Sequence, residues 1–470
     1  MRLAVHGRVL LAGLACLIAL AGCRPPAPAL LESAKLPQDP RAYLESAAWA
    51  VDPAWQQQSH LAWRAAHYAP WDQYAPRLDR ERFAAEVAAL AARPGYGENT
   101  LARGADWTRA LTELADAETY PNAGWPGLTL HAVDLRALPT RRPLVKGFDH
   151  SGQGLAFDRL QESLLPPGSP VFAAQASRDG AWLFCDTAIG SFWLAAERVG
   201  RVDKDLMRRW RSATLAAVLA DGVGLASADG RFVCQAGLGA ALPLAGREAG
   251  GPVLLAPEAC RGWALATPVR VEPGQAAAMP LPLTPPALAG LAAPLMGQAY
   301  GWGGSFGGRD CSALMRDLFT PFGIWLPRNS ADQAAAGAQR VDLAGLDPGD
   351  KERTVLAQGA PFLSLLYMPG HIMLYLGPAG GRAAALHSVW GLRTLAADGR
   401  EGRWVIGRVV ISDLWPMAGE GQRVAEGSQL AERLSALVNL VPPQALSLQP
   451  RPAWRARPAA PAPGAGPGAR

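Results

Sequence analysis

The stretch from Gly301 to Gly308 is rich in glycine and leads into Asp310-Cys311-Ser312, where a new pattern begins. Leu314, Met315, Leu318 and Phe319 follow Cys311 at spacings that recur every three or four residues. That spacing predicts a helix whose first turn carries the thiol on its buried face. Downstream, residues 370–376 and 383–390 read as strands flanking Gly377-Pro378-Ala379-Gly380-Gly381. Ala379 is equally distant in sequence from His371 and His387, so a hairpin without a bulge sets the two histidines opposite each other. Their Cβ atoms would be ~5 Å apart. A helix followed by such strands specifies an α+β fold with the thiol on the helix and the imidazoles on the sheet.

These three residues have the chemistry of a nucleophile, its base and an orienter: Cys311, His371 and His387. Unpaired N–H groups at a helix start carry partial positive charge, so the Cys311 thiol is expected to titrate below its free value of ~8.5. On that basis it should react with alkylators ahead of Cys185, Cys234 and Cys260, which have no comparable surroundings and are assigned to structure. There is no Cys-x-x-Cys and no His-x-x-x-His. No metal site and no cofactor are therefore expected.

The net charge of +5 is carried almost entirely by arginine, because lysine occurs only at positions 35, 146, 204 and 351. No basic run with interleaved aromatics is present, which argues against nucleic acid as a partner. Residues 1–22 have a basic start at Arg2 and Arg8 and an apolar run from Val9 to Leu20, and they end in small residues before Cys23. This is expected to be a signal peptide, and Leu20-Ala21-Gly22-Cys23 is similar to a bacterial lipoprotein cleavage site. Cys23 would then be lipidated, holding the protein in the bacterial cell envelope by a lipid anchor. Arg24, in place of an acidic residue, points to the outer membrane facing the periplasm.

After a tether over 23–40, residues 41–125 read as a helical domain, with clear helical spacing from Glu81 to Leu90 and a stop at Pro94-Gly95. His67, Tyr68 and Trp71 flank Pro70 and are expected to pack a core. Short apolar runs separated by Gly, Pro and Asp then mark two small all-β units, 126–200 and 201–279. Ala137-Leu138-Pro139 recurs as Ala241-Leu242-Pro243, and a long loop spans Arg141 to Gln161 in the first unit. Trp182, Trp193 and Trp263 are expected in barrel cores. The catalytic segment follows the proline-rich boundary and covers 287–416. A single short helix, about 424–440, is expected beyond it, then a disordered Pro/Ala/Gly-rich tail to 470.

Tyr300-Gly301-Trp302-Gly303-Gly304, Asp310-Cys311-Ser312, Leu326-Pro327-Arg328-Asn329-Ser330, Gly370-His371-Ile372 and His387-Ser388-Val389-Trp390-Gly391 together resemble the NlpC family of cell-wall cysteine peptidases. The resemblance extends to members with a helical N-terminal domain and two bacterial SH3-like barrels. It implies a papain-like α+β catalytic domain that hydrolyses peptidoglycan stem peptides or muropeptides, often between the γ-carboxyl of D-Glu and the diamino acid. It also implies substrate contacts at Arg328, Asn329 and Ser330, with Trp302 as a wall and Ser312 beside the nucleophile. Asp310 reads first as the helix N-cap and second as a partner for a peptide amine. Asn329 stands where amine-binding relatives carry Asp, which puts a requirement for free N-terminal L-Ala in question. A D,D-endopeptidase acting on cross-links and a non-catalytic wall-binding lipoprotein are the other readings. The sequence assigns no oligomeric state.

Overall fold

The computed structural model describes residues 36–148, 153–248, 250–418 and 422–448. The leader, Cys23, most of the expected tether and the tail from 449 onward lie outside these residues. Among the described residues no helix is long and apolar enough to cross a membrane.

The N-terminal region is divided among the other domains. Gln38 binds the backbone of Ile411 through both amide atoms, at 2.8 and 3.0 Å, as a neighbouring strand would. Leu36, Tyr43 and Trp49 enter the catalytic core, so the chain is anchored before the expected end of the tether at 40. The helix Pro53–Tyr68 starts at the cap Asp52, whose side chain accepts from Ala54 N. It carries Trp63, Tyr68 and the following Trp71 into the core of the second barrel. Trp71 Nε1 donates to the Gly127 carbonyl and Tyr68 Oη to that of Trp210, which gives His67, Tyr68 and Trp71 the packing surroundings expected of them. Helices Arg80–Ala91 and Ala105–Ala115 bury Phe83, Val87 and Leu111 against Trp182, Phe184 and Trp193 of the first barrel. Each amphipathic face thus finds its apolar partner in a neighbouring domain and not in a helical bundle of its own.

The first barrel runs from the strand Trp125–Thr129 to Val199–Arg201, and the second from Leu215–Val218 to Ala276–Ala278. Helix Lys204–Ser212 separates them. A parallel pairing of Trp263 with Arg201 joins both into one hydrogen-bonded ladder. Trp182 and Trp193 are buried, but Trp263 keeps 47% of its surface exposed. It follows the Arg261-Gly262 hairpin turn, where both residues have positive φ and residues 259–263 are all exposed.

The catalytic domain is one antiparallel sheet in the order Gln339–Asp342, Ala436–Asn439, Ser364–Met368, His371–Ala379, Arg382–Ala396, Glu401–Ser412, packed against helices Pro285–Ala292 and Cys311–Phe319. Its second strand comes from the segment expected to be a helix outside the domain. Residues 424–440 hold only a short helix at Leu430–Arg433 between the strands Gln422–Val424 and Ala436–Asn439. Leu437 and Val438 are fully buried on opposite faces of the sheet, and this two-sided burial overrides the helical propensity of the surrounding Ala, Leu and Glu. Leu446–Leu448 then pairs with Trp49–Val51, so the catalytic body extends past 416 through at least residue 448.

Candidate active site

Cys311 is the first residue of its helix, and Asp310 is the N-cap. Asp310 Oδ1 accepts from Ala313 N at 2.9 Å and from Ser312 Oγ at 3.2 Å. Its Oδ2 accepts from Gly303 N at 3.1 Å. Arg328 grips both oxygens at 2.6 and 3.2 Å, and also donates to Ser312 Oγ at 2.8 Å. All three side chains are buried. Burial alone would raise the Asp310 pKa, but the Arg328 guanidinium and the backbone donors hold it below the usual carboxylate range. Capping is therefore realised, and among the described residues the side chains of Asp310, Ser312 and Arg328 are engaged with one another. The expectation of a substrate contact there gives way to a buried pair supporting the nucleophile, because a desolvated carboxylate is satisfied only by a desolvated cation. Trp302, Asn329 and Ser330 remain accessible.

Two barrels hold this loop in place. Strand Gln161–Leu165 of the first barrel presents Gln161 Nε2 to the Gly303 carbonyl at 2.9 Å and Ser163 Oγ to Arg328 Nε at 2.8 Å. Gly303 and Gly304 have φ of 58° and 84°, and a Cβ on either would lie 2.5 Å from that strand. Glycine is required there both for the left-handed backbone and for the close approach. From the second barrel, Asp221 pairs bidentately with Arg309 at 2.7 Å, while Arg309 Nε reaches Asp317 at 2.8 Å. Arg309 and Asp221 carry no motif of their own. Their pairing brings together residues far apart in sequence, which one-dimensional reading does not detect.

His371 opens its strand and His387 lies in the next. The ladder pairs Leu374 with Leu386 and Tyr375 with Ala385, shifts at a bulge, then pairs Ala379 with Arg382. The turn is therefore centred later than Ala379, and the continued register sets Met373 across from His387. The histidines are diagonal neighbours on one face, not directly opposed. Long side chains bridge that diagonal: His371 Nε2 is 2.8 Å from His387 Nδ1, and the ring centroids are 5.0 Å apart. His387 Nε2 in turn lies 3.0 Å from Ser412 Oγ.

The electrostatics differ from the helix-dipole expectation. Burial pushes the Cys311 thiol up to about 12, and the anionic Asp310 beside it adds to this; the Ile372 N–H, Arg328 and the Ser312 N–H act in the opposite sense. Burial also lowers His371 to about 4, with Arg433 adding to the effect. His387 is driven well below its ordinary value by burial and by His371. Desolvation thus favours the neutral thiol and the neutral imidazole, against the partial charge of the helix start. Cys185 and Cys234 are likewise raised by burial, whereas Cys260 is exposed and so is not a buried structural thiol.

Phe157, from the long loop of the first barrel, meets Trp302 at 5.3 Å and Trp390 at 5.5 Å between ring centroids, and Tyr300 stacks obliquely on Trp390 at 5.9 Å. These rings form an aromatic wall, with Tyr300 close to Asp310 and Cys311. Ala313 and Leu314 N–H groups are taken by Asp310, leaving those of Cys311 and Ser312 as the first-turn donors for a developing oxyanion.

A thiol at a helix start facing sheet histidines is the arrangement of papain-like cysteine peptidase domains. Residues 297–389 match the NlpC/P60 family, 9–120 the NLPC_P60 N-terminal stabilising domain, 143–195 an SH3 domain of SH3b1 type and 203–249 one of SH3b2 type. The chain therefore combines an NlpC/P60 domain with the NLPC_P60 N-terminal stabilising region and two SH3b domains. Its fold is shared with an NlpC/P60 endopeptidase from Photobacterium damselae subsp. piscicida, at TM-score 0.76 and 21% identity over 86% of this chain and 97% of the other. An NlpC/P60 family protein from Bacillus cereus ATCC 10987 aligns at TM-score 0.44 and 14% identity, over 67% of this chain and 100% of that one. A comparison with curated protein sequences gave no match.

Proposed function

We propose that the protein is a cysteine endopeptidase of peptidoglycan stem peptides that cleaves between the γ-carboxyl of D-Glu and the diamino acid. The observation that carries the cysteine-peptidase part of this reading is the contact of His371 with His387 on the sheet, beside a helix-start Cys311 to which the Ile372 N–H is directed, while the choice of bond rests on the family resemblance. His371 takes the thiol proton as sulfur attacks the scissile carbonyl, and returns it to the leaving amine. The Cys311 and Ser312 N–H groups receive the oxyanion. Water, deprotonated by the same imidazole, then hydrolyses the thioester.

Recognition of a peptide amine passes from Asp310 to another carboxylate. Glu162 is the extra residue at the bulge where Arg136 pairs with Gln161, and bulges re-aim side chains beside active sites. Among the described residues it makes no hydrogen bond, burial raises its pKa, and Arg328 opposes that rise. This placement between Gln161 and Ser163, both bonded to the catalytic domain, supports a role in pairing with a substrate ammonium. The lipoprotein-like leader supports anchorage at the outer membrane, facing the periplasm.

Purified protein incubated with muropeptides of defined linkage tests the reading. Release of L-Ala-γ-D-Glu is expected, and Glu162→Gln should raise KM for substrates with a free amine more than for blocked ones. Products in which only the D,D cross-link is broken would replace this assignment with the D,D-endopeptidase.

A further inference from the structure

We propose that Ser412 is a positioning residue that sets the tautomers of both catalytic histidines, so that His371 presents a bare Nδ1 as the proton acceptor. This rests on the peptidase reading only for its effect on turnover.

Ser412 ends the strand Glu401–Ser412 and is buried. Its hydroxyl donates to the Asp413 carbonyl at 2.9 Å and lies 3.0 Å from His387 Nε2. A hydroxyl has one proton, and a carbonyl has none to give. Once that proton points at Asp413, the contact with His387 exists only if Nε2–H donates to Ser412 Oγ. A neutral imidazole holds a single N–H, so His387 Nδ1 is then a bare acceptor. His387 is buried, and among the described residues no carboxylate hydrogen-bonds to it, so nothing there favours a second proton on it. The 2.8 Å contact must therefore be donated by His371 Nε2–H, which leaves His371 Nδ1 unprotonated.

The direction of the whole chain is thus dictated by a backbone carbonyl that cannot reverse. Without the hydroxyl, His387 is free to place its proton on Nδ1 and donate to His371 Nε2. His371 would then carry its own proton on Nδ1, the wrong atom for accepting one from the thiol. When His371 does become imidazolium during the reaction, its Nε2–H still points at the His387 lone pair, so the same chain supports the charged form without rearranging.

The test is ¹⁵N NMR of histidine-labelled full-length protein, with kinetics beside it. In the wild type both rings should show a protonated Nε2 and an unprotonated Nδ1. Ser412→Ala should give mixed tautomers and a kcat lower by about tenfold or more at unchanged KM, and Ser412→Thr, which keeps the hydroxyl, should recover both. A wild-type His387 protonated on Nδ1 would overturn the proposal, as would Ser412→Ala with unaltered tautomers or unaltered kcat. If the wild type cleaves no peptide, the peptidase reading fails while the tautomer signals still decide this one.

Discussion

Arg328 holds both carboxylate oxygens of Asp310, at 2.6 and 3.2 Å, at the cap of the helix that Cys311 opens. Removing one partner of such a buried pair strands the other. Arg328→Ala should destabilise the protein by about 3–5 kcal/mol, read from its denaturation midpoint, and reduce kcat as the helix cap loosens. A variant of unchanged stability whose KM alone rises would return Arg328 to the role of substrate contact.

Under the proposed mechanism the two histidines should differ in severity, because His371 moves the proton and His387 aims it. His371→Ala should lower kcat/KM by about 100-fold or more. His387→Asn retains a hydrogen-bonding group for His371 and should keep measurable activity, with His387→Ala below it. Equal loss in His371→Ala and His387→Asn would show that the roles are misassigned.

Burial makes the resting thiol and imidazole neutral, which predicts an unusual pH response. His371 must be unprotonated to act, and its pKa is lowered to about 4, so kcat/KM should stay level well below pH 6.5 and fall only as pH drops through about 4. With the thiol raised to about 12, alkylation of Cys311 should be slow at pH 7, behind the exposed Cys260, and should climb steeply only in alkali. An alkylation inflection below pH 7 would indicate a resting thiolate–imidazolium pair.

Asp221 ties the second barrel to Arg309, next to the catalytic cap. Burial raises its pKa, yet hydrogen bonding and charge from Arg309 prevail and lower it from 3.8 to about 2. Its contribution is therefore complete above pH 3.8 and vanishes as pH falls through about 2. With 32% of its side chain exposed, about 2 kcal/mol is an upper value. Asp221→Asn should melt earlier at pH 7, with the gap to wild type closing by pH 2. A gap that persists at pH 2 would assign the loss to packing and not to charge.

Lipidation at Cys23 predicts that Cys23→Ser is exported but released from membranes on fractionation. Continued sedimentation of that variant with membranes after a salt wash would count against the anchor.

The sequence alone determined what depends on local pattern. Apolar residues at three- and four-residue spacing behind Cys311 specify a helix, Asp310 is a capping residue by its chemistry, and two apolar runs flanking a glycine turn place His371 and His387 on neighbouring strands. The motifs also specified the domain set. Tertiary structure decided what depends on which surfaces meet. A turn centred between Gly380 and Gly381 took the histidines out of direct opposition, the bulge after Tyr375 set them on one face as diagonal neighbours, and the burial of Leu437 and Val438 drew a distant C-terminal segment into the middle of the catalytic sheet. Closure of Arg328 onto Asp310 turned an expected substrate contact into a buried ion pair. Desolvation opposes the thiolate expected of Cys311, because the energy of an ion depends on all the groups that exclude water from it, and most of those are remote in sequence.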